Sequence, residues 1–483
     1  MGLVLLAEGV AAFDRWLAAR GLLELTVENA GRSVAERCLA LHPGGRWLVL
    51  AGSGNNGADA LVAARHLWAA GAEVQLLVRP SQRGLPQRLS ALLGQLGVAP
   101  EPLTLDRLRG ALREPASVLD GLLGTGLTGS PSSELSALIG AVNASGREVL
   151  SIDLPSGATD RSVHPGPAVR PGRTLALGSL KPVHLYALPE QVGAVDLLPL
   201  ALPEDILRPW AAAELLSPAW VAAHLPVRPR NAHKGTAGVV WILGGSAGLQ
   251  GAPVMAALGA LHAGSGLVYL FSEVTLTAPL EVMVHRLASW SDLERRPRPD
   301  AIAVGMGLGY AAEGVAHRVL GWELPCVIDA DALLPQLAIF GHERAVWTPH
   351  PGEAARLLGC STAEVVAAPI EAARELRSKL GGVIVLKGSP TTVVGEGCWV
   401  CPFGTPAMAS GGMGDTLSGI IVSLLGQGLE AEVAALCGVY LHGRAAELQP
   451  ELGYGLQASQ VAAAVPRAWL ELSSAGGSAC RAR

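Results

Sequence analysis

The chain has 483 residues, of which 50% are hydrophobic and 16% charged, and a net charge of −5. That length suits two to four domains of roughly 100–200 residues each, and the apolar content excludes a disordered chain. No basic stretch is present to follow a phosphate backbone, so nucleic acid is not an expected partner.

The opening Met1-Gly-Leu-Val-Leu-Leu-Ala-Glu8 has no basic n-region, and Glu8, Asp14 and Arg15 interrupt its apolar run. It does not read as a signal peptide. In chain order, short apolar strands are expected at 47–51, 73–78, 117–119, 148–152 and 174–177, with helical patterns at 58–70 and 134–143. From 202 to 230 the periodicity dissolves into Pro- and Ala-rich sequence, the best linker candidate. Alternation restarts with strands at 237–243, 267–271, 301–304, 326–328, 345–347 and 383–386. Helices at 414–425 and 430–448 end the block. The uncharged run 249–271 is long enough to tempt a membrane assignment. Pro253, His262 and several glycines break it, so a helix over 252–263 and a buried strand are expected, and no membrane contact.

Seven cysteines, an odd number and widely scattered, argue against a disulfide framework and for a cytoplasmic protein. Cys398-Trp-Val-Cys401 lacks the second pair of a zinc site and reads as two strand cysteines. Only four lysines occur, Lys181, Lys234, Lys379 and Lys387, so a lysine beside glycines points to chemistry.

In the first block, Gly52-Ser-Gly-Asn-Asn-Gly-Ala-Asp59 joins a strand to a helix. Such a turn exposes N–H groups at a helix N-terminus, where phosphate binds well. Asp120-Gly-Leu-Leu-Gly-Thr-Gly126 and Asp153-Leu-Pro-Ser-Gly157 follow two further strands. In an open parallel sheet these loops share the ligand-binding edge. Their oxygens suit a hard cation beside a phosphorylated ligand. Plain capping by Asp120 or Asp153 is the competing reading.

With Val27-Glu-Asn-Ala-Gly31 and Leu180-Lys-Pro182, these motifs resemble the NAD(P)H-hydrate epimerase family over residues 1–210. The resemblance implies a Rossmann-like three-layer α/β/α domain. It implies substrate contacts at Asn55, Asn56, Gly57, Ala58 and Asp59, and at Gly124, Thr125, Gly126, Leu127, Thr128, Gly129 and Ser130. Potassium (K+) would be bound by Asn56, Asp120 and Ser156, and Asp153 would be the acid/base. Ala58 stands where the family has Gly, and its methyl is expected to crowd the phosphate loop.

In the second block, Ala409-Ser-Gly-Gly-Met-Gly-Asp415 opens a helix. Its free N–H groups form an anion hole, and Asp415 beside it can take a proton from a hydroxyl. Lys387-Gly-Ser-Pro-Thr391 ends a strand, and Thr348-Pro-His-Pro-Gly-Glu353 places His350 at another. With His233-Lys-Gly235, Gly305-Met-Gly-Leu-Gly309 and Asp329-Ala-Asp331, these segments resemble the ribokinase-like ADP/ATP-dependent NAD(P)H-hydrate dehydratases from about residue 225 to 472, within an expected domain 211–483. The resemblance implies a ribokinase-like α/β domain. The hydrated nucleotide would lie against Ala252, Gly309, His350 and Asp415. ADP with Mg2+ would lie against Lys387, Gly388, Ser389, Pro390, Thr391 and Gly414.

Together the halves resemble a bifunctional NAD(P)H-hydrate repair family, expected as a homo-oligomer. Its substrates would be the hydrates of NADH and NADPH (NADHX and NADPHX) and ADP, the last giving AMP and phosphate. The alternative is a ribokinase-like small-molecule kinase with a non-catalytic N-terminal binding domain. Asp153 and Asp415 each follow a strand or start a helix, where removing the charge is expected to disturb folding little.

Overall fold

In the computed structural model, which describes residues 2–80, 84–161 and 166–475, the chain divides into units Gly2–Ala212 and Ala213–Arg483. The first is built on β1 (Arg46–Ala51), β2 (Glu73–Val78), β3 (Glu101–Pro102), β4 (Ser117–Gly121), β5 (Val149–Ile152), β6 (Arg173–Leu177) and β7 (Ala194–Leu198). They form one parallel sheet in the order β3-β2-β1-β4-β5-β6-β7. The order reverses between β1 and β4, which opens a crevice at their C-terminal ends.

β1 reads as an unbroken apolar run because both faces of the sheet are covered. Trp47, Val49 and Ala51 pack with Val34, Cys38 and Leu61 from α2 (Leu23–Leu41) and α3 (Asn55–Ala69). Leu48 and Leu50 point the other way, to Leu138, Ile139 and Val142 of α4 (Ser133–Ala144). The two-residue strand period thus produces the three expected layers. A further helix, α1 (Ala7–Ala18), precedes α2 and has no counterpart among the expected elements.

The second unit adds β8 (Ala213–Leu215), β9 (Val239–Leu243), β10 (Leu267–Ser272), β11 (Val282–Arg286), β12 (Ala301–Val304), β13 (Cys326–Ile328), β14 (Ala345–Trp347), β15 (Val383–Leu386), β16 (Thr391–Val394) and β17 (Cys398–Cys401). Their order is β8-β17-β16-β15-β14-β13-β12-β9-β10-β11. Among the described residues of this sheet, only β15–β16 and β16–β17 pair antiparallel. Val240 and Ile242 of β9 face a cluster containing Ala256, Ile420 and Leu436, while Trp241 and Leu243 face one containing Val315, Ala316 and Leu376.

Two expectations change. Residues 202–230 are not a bare linker: they hold the helix Glu204–Leu207, β8 and the helix Pro218–His224, elements too short to show a period. The expected helix at 58–70 starts at Asn55, since Gly54 is its extended N-cap. The run 249–271 is the helix Gly251–His262 followed by β10, and no helix among the described residues is long and apolar enough to cross a membrane. Cys398 and Cys401 lie in β17, and burial pushes their thiols up to about 11 and about 12.

Candidate active sites

The loops after β1, β4 and β5 meet at the reversal point of the first sheet. Their backbones approach so closely that a Cβ on Gly57 would lie 1.9 Å from the Gly52 oxygen, and one on Gly52 would lie 2.0 Å from the Leu122 oxygen. A cavity of about 560 Å3 opens there. Asn55, Asn56, Gly57, Asp59, Gly124, Thr125, Gly126, Leu127, Thr128 and Asp153 all line it. The helix Ala7–Ala18 supplies a further wall through Phe13 and Asp14.

Three expected contacts fall outside the lining. Ala58 is fully buried, and its methyl packs against Val27 and Val62. Its N–H bonds to the Gly54 carbonyl within the helix. The methyl therefore fills core space and does not crowd the loop. Gly129 and Ser130 continue the exposed chain beyond the lining residues.

Asp153 adopts a left-handed backbone with φ 60°, a conformation that Asp tolerates better than most residues. Its carboxylate pairs with Lys181, whose side chain is 2% exposed, and accepts a hydrogen bond from the Leu177 N–H at 3.1 Å. The Lys181 Nζ also donates to the carbonyls of Leu177 and Ser179. His184 ties the two strands' ends together. Its Nδ1 accepts from the Lys181 N–H at 3.0 Å, so Nε2 carries the proton and donates to the Asp153 carbonyl at 2.7 Å. Burial, then Lys181, pushes this imidazole down to about 4, so it is neutral. The expectation that Asp153 can lose its charge at little cost is overturned, because it neutralises a buried lysine.

Beneath the cavity, Asp120 is fully buried. It accepts from Ser151 Oγ at 2.8 Å, Ser156 N at 3.0 Å, Ser156 Oγ at 2.5 Å and Leu122 N at 3.3 Å. Burial pushes its carboxyl up, opposed by Ser156 and Ser151. The Leu123 N–H donates to Ser156 Oγ at 2.9 Å, and Asn56 Nδ2 donates to the Leu123 carbonyl at 2.7 Å. Asn56, Asp120 and Ser156 therefore meet around one peptide, and Asn56 Oδ1 is buried with no hydrogen-bond partner. An orphaned acceptor beside a buried carboxylate fits a hard cation.

In the second unit, α5 (Met413–Gly426) starts at Gly412, which has a left-handed φ of 88°. Asp415 lies in its first turn. Burial, then Asp329, pushes Asp415 up to about 7, against the pull of Lys387. Lys387 Nζ pairs with Asp329 Oδ1 at 2.8 Å and lies 3.8 Å from Glu353 Oε2. Ser418 Oγ donates to Asp329 Oδ2 at 2.7 Å. Burial raises Asp329, but Lys387 with Ser418 and Thr348 brings it below the usual carboxylate range. A Cβ on Gly414 would lie 3.2 Å from Lys387 Nζ, so the ammonium sits over the start of α5.

His350 is the N-cap of the helix Pro351–Leu358: its Nδ1 accepts from the N–H groups of Gly352 at 3.0 Å and Glu353 at 3.3 Å. The Gly309 N–H donates to Asp331 Oδ2 at 2.9 Å. Ala252 is half-buried near Gly307 of the same loop. Thr391 Oγ1 donates to the Gly388 carbonyl at 3.0 Å, which closes the Lys387–Thr391 turn. Sequence reasoning assigned no role to Lys181, His184, Asp14, Ser151 or Ser418. For Lys181 the rarity of lysine was the available signal. The others belong to unremarkable local sequence.

The YjeF-related protein N-terminus family matches residues 24–183, and the NAD(P)H-hydrate dehydratase family matches residues 240–467. The bifunctional NAD(P)H-hydrate repair enzyme of Escherichia coli is 37% identical over 445 residues, covering 87% of this chain and 84% of that protein. The enzyme of that name from Coxiella burnetii is 36% identical, covering 88% of this chain and 90% of its own length. A solved ribokinase-like superfamily protein of Enterococcus faecalis matches 54% of this chain and 96% of its own, with 27% identity and a TM-score of 0.50. Length, order and both halves agree: the chain belongs to the bifunctional NAD(P)H-hydrate repair enzyme family.

Proposed function

We propose that the chain restores hydrated NADH and NADPH, the first unit interconverting the R and S hydrates and the second dehydrating the S form with ADP. The observation that carries this reading is a carboxyl beside a lysine at the ligand-binding edge of each sheet: Asp153 with Lys181, and Asp415 beside Lys387.

Hydration puts the hydroxyl on the carbon beside the ring nitrogen, since that nitrogen stabilises the cation formed when the double bond is protonated. Loss and return of the hydroxyl at this carbon inverts it. Asp153 is the acid/base of that exchange, and Lys181 with His184 fixes its position. Asn55, Asn56, Gly57 and Asp59, with Gly124 to Thr128, hold the dinucleotide, with N–H groups at the α3 start for its phosphates. Asn56, Asp120 and Ser156 would hold potassium, which supplies positive charge beside those phosphates.

In the second unit, Asp415 takes the proton of the S hydroxyl as the terminal phosphoryl group of ADP transfers to that oxygen. AMP departs. The C–O bond then breaks, phosphate leaves, and the neighbouring carbon loses a proton to restore the ring double bond. Phosphate is a far better leaving group than water near neutral pH. Lys387 to Thr391 and Gly414 cradle the nucleotide, Gly309, His350 and Ala252 the hydrate. Mg2+ would come with the nucleotide phosphates and offset their charge.

The test is incubation with mixed NADH hydrates, separately with ADP, with ATP and with no nucleotide, each epimer followed by chromatography. Both epimers are expected to disappear with ADP, one phosphate released per NADH. ADP is expected to give a higher kcat/KM than ATP. A stable phosphorylated product would identify a small-molecule kinase instead.

A further inference from the structure

Inversion through loss and return of the hydroxyl has a geometric requirement. The hydroxyl leaves from one face of the ring, and water returns to the other. A single carboxyl can assist only the face it touches. The first unit's cavity holds more than one carboxyl: Asp153 on the loop after β5, Asp59 in α3, and Asp14 on the separate helix Ala7–Ala18.

Asp59 is buried, and burial with Asp153 and Asp14 pushes its carboxyl well up. Asp14 is half-buried and open to the cavity. Asn55 Nδ2 donates to its Oδ2 at 2.9 Å, which fixes the carboxyl at the mouth of the α3 turn. The charged groups around it are Asp153, Asp59 and a single lysine, Lys181, which is already paired with Asp153. Burial pushes Asp14 up against the pull of the Asn55 hydrogen bond, and Asp153 adds to the rise. Asn56, whose buried Oδ1 has no hydrogen-bond partner, also lines the cavity.

We propose that Asp14 is the second acid/base of the epimerase, serving the ring face that Asp153 does not reach. This rests on the epimerase reading above. For one hydrate, the C–O bond breaks as the Asp14 carboxyl gives its proton to the leaving hydroxyl, and the ring nitrogen lone pair fills the vacancy. Water then adds to the opposite face and its proton passes to the Asp153 carboxylate. The other hydrate runs in reverse, and the two carboxyls re-equilibrate with solvent.

The experiment uses the full chain without nucleotide, so that the dehydratase is idle. Each purified NADH hydrate is incubated in 18O water, with inversion read by chromatography and oxygen exchange by mass spectrometry, uncatalysed rates being subtracted. The unmodified protein is expected to introduce one solvent oxygen per inversion. Asp14→Asn keeps an acceptor for Asn55, so its melting temperature should stay near that of the unmodified protein. Inversion should fall about 10²–10⁴-fold, the scale of lost acid–base assistance. One hydrate alone should still exchange its oxygen, with retention, through Asp153. Asp153→Asn, or Asp153→Asn with Lys181→Met if the single variant melts early, should show retained exchange in the other hydrate. Inversion by Asp14→Asn within threefold of normal would overturn the proposal. So would loss of exchange from both hydrates alike, which marks a positioning role. If the unmodified protein interconverts no hydrates, the epimerase reading itself fails.

Discussion

Lys387 is paired with Asp329, not with Asp415: its Nζ lies 2.8 Å from Asp329 Oδ1, and Asp415 is left raised to about 7. A base must be deprotonated to act, so ADP-dependent NADH recovery should rise with pH and level off above about 7. The folded unit holds this proton over a range where the unfolded chain, near 3.8, has lost it. Stability from this group is therefore lost as pH rises through about 7. Asp415→Asn should abolish the rate, and its melting temperature should gain on the unmodified protein as pH rises from 3.8 to about 7.

Removing Lys387 strands the buried Asp329 charge. Lys387→Met should cost about 3–5 kcal/mol, a fall of roughly 2–4 °C per kcal/mol for a unit of this size. Lys387→Met with Asp329→Asn should recover most of that stability in a thermal melt but none of the ADP-dependent rate. A single variant that melts normally would show that the pair contributes nothing to the fold.

The two activities should separate. With Asp415→Ala, NADH recovery stops while epimers still exchange. With Asp153→Asn, ADP clears the S hydrate at the normal rate and the R hydrate lingers, draining only by its slow uncatalysed conversion. Chromatography of both epimers over time distinguishes these outcomes from a shared defect.

Potassium should stabilise the first unit, because a ligand that binds only the folded state raises its stability by mass action. In differential melts of the full chain, potassium should raise a transition relative to a large organic cation at equal ionic strength. Asn56→Ala, which removes the orphaned Oδ1, should erase that difference.

His184 is held at about 4, below its ordinary 6.5. The unfolded chain therefore takes up a proton first as pH falls, so the stability from this group is present above 6.5 and lost between 6.5 and 4. His184→Gln should narrow its melting deficit over that window. It should also slow epimer exchange by freeing the Asp153 backbone, with the ADP-dependent rate on S hydrate unchanged.

Much of this was legible in the sequence where a loop announces itself. Glycines and asparagines between an apolar run and a helical pattern located the β1–α3 turn, and the same logic found Asp120, Asp153 and Asp415. Long-range pairing was not legible. Asp153 and Lys181 are 28 residues apart, and nothing local joins them. The side on which the Ala58 methyl falls depends on where α3 starts, and a shift of three residues turned an expected obstruction into core packing. Asp14 lies in an ordinary amphipathic helix, and only the fold brings it to the cavity.

The close stacking of the strand-end turns divides the glycines of one loop by mutational fate. Every substitution of Gly52 or Gly57 adds a Cβ that collides with a backbone oxygen of the loops that follow β4 and β1. Gly54, two residues along, faces open space. Under neutral drift with selection for NADH repair alone, positions 52 and 57 should stay invariant from the first generation. Position 54 should diversify, and lineages that lose the first unit should carry their earliest lesions at the two closed sites.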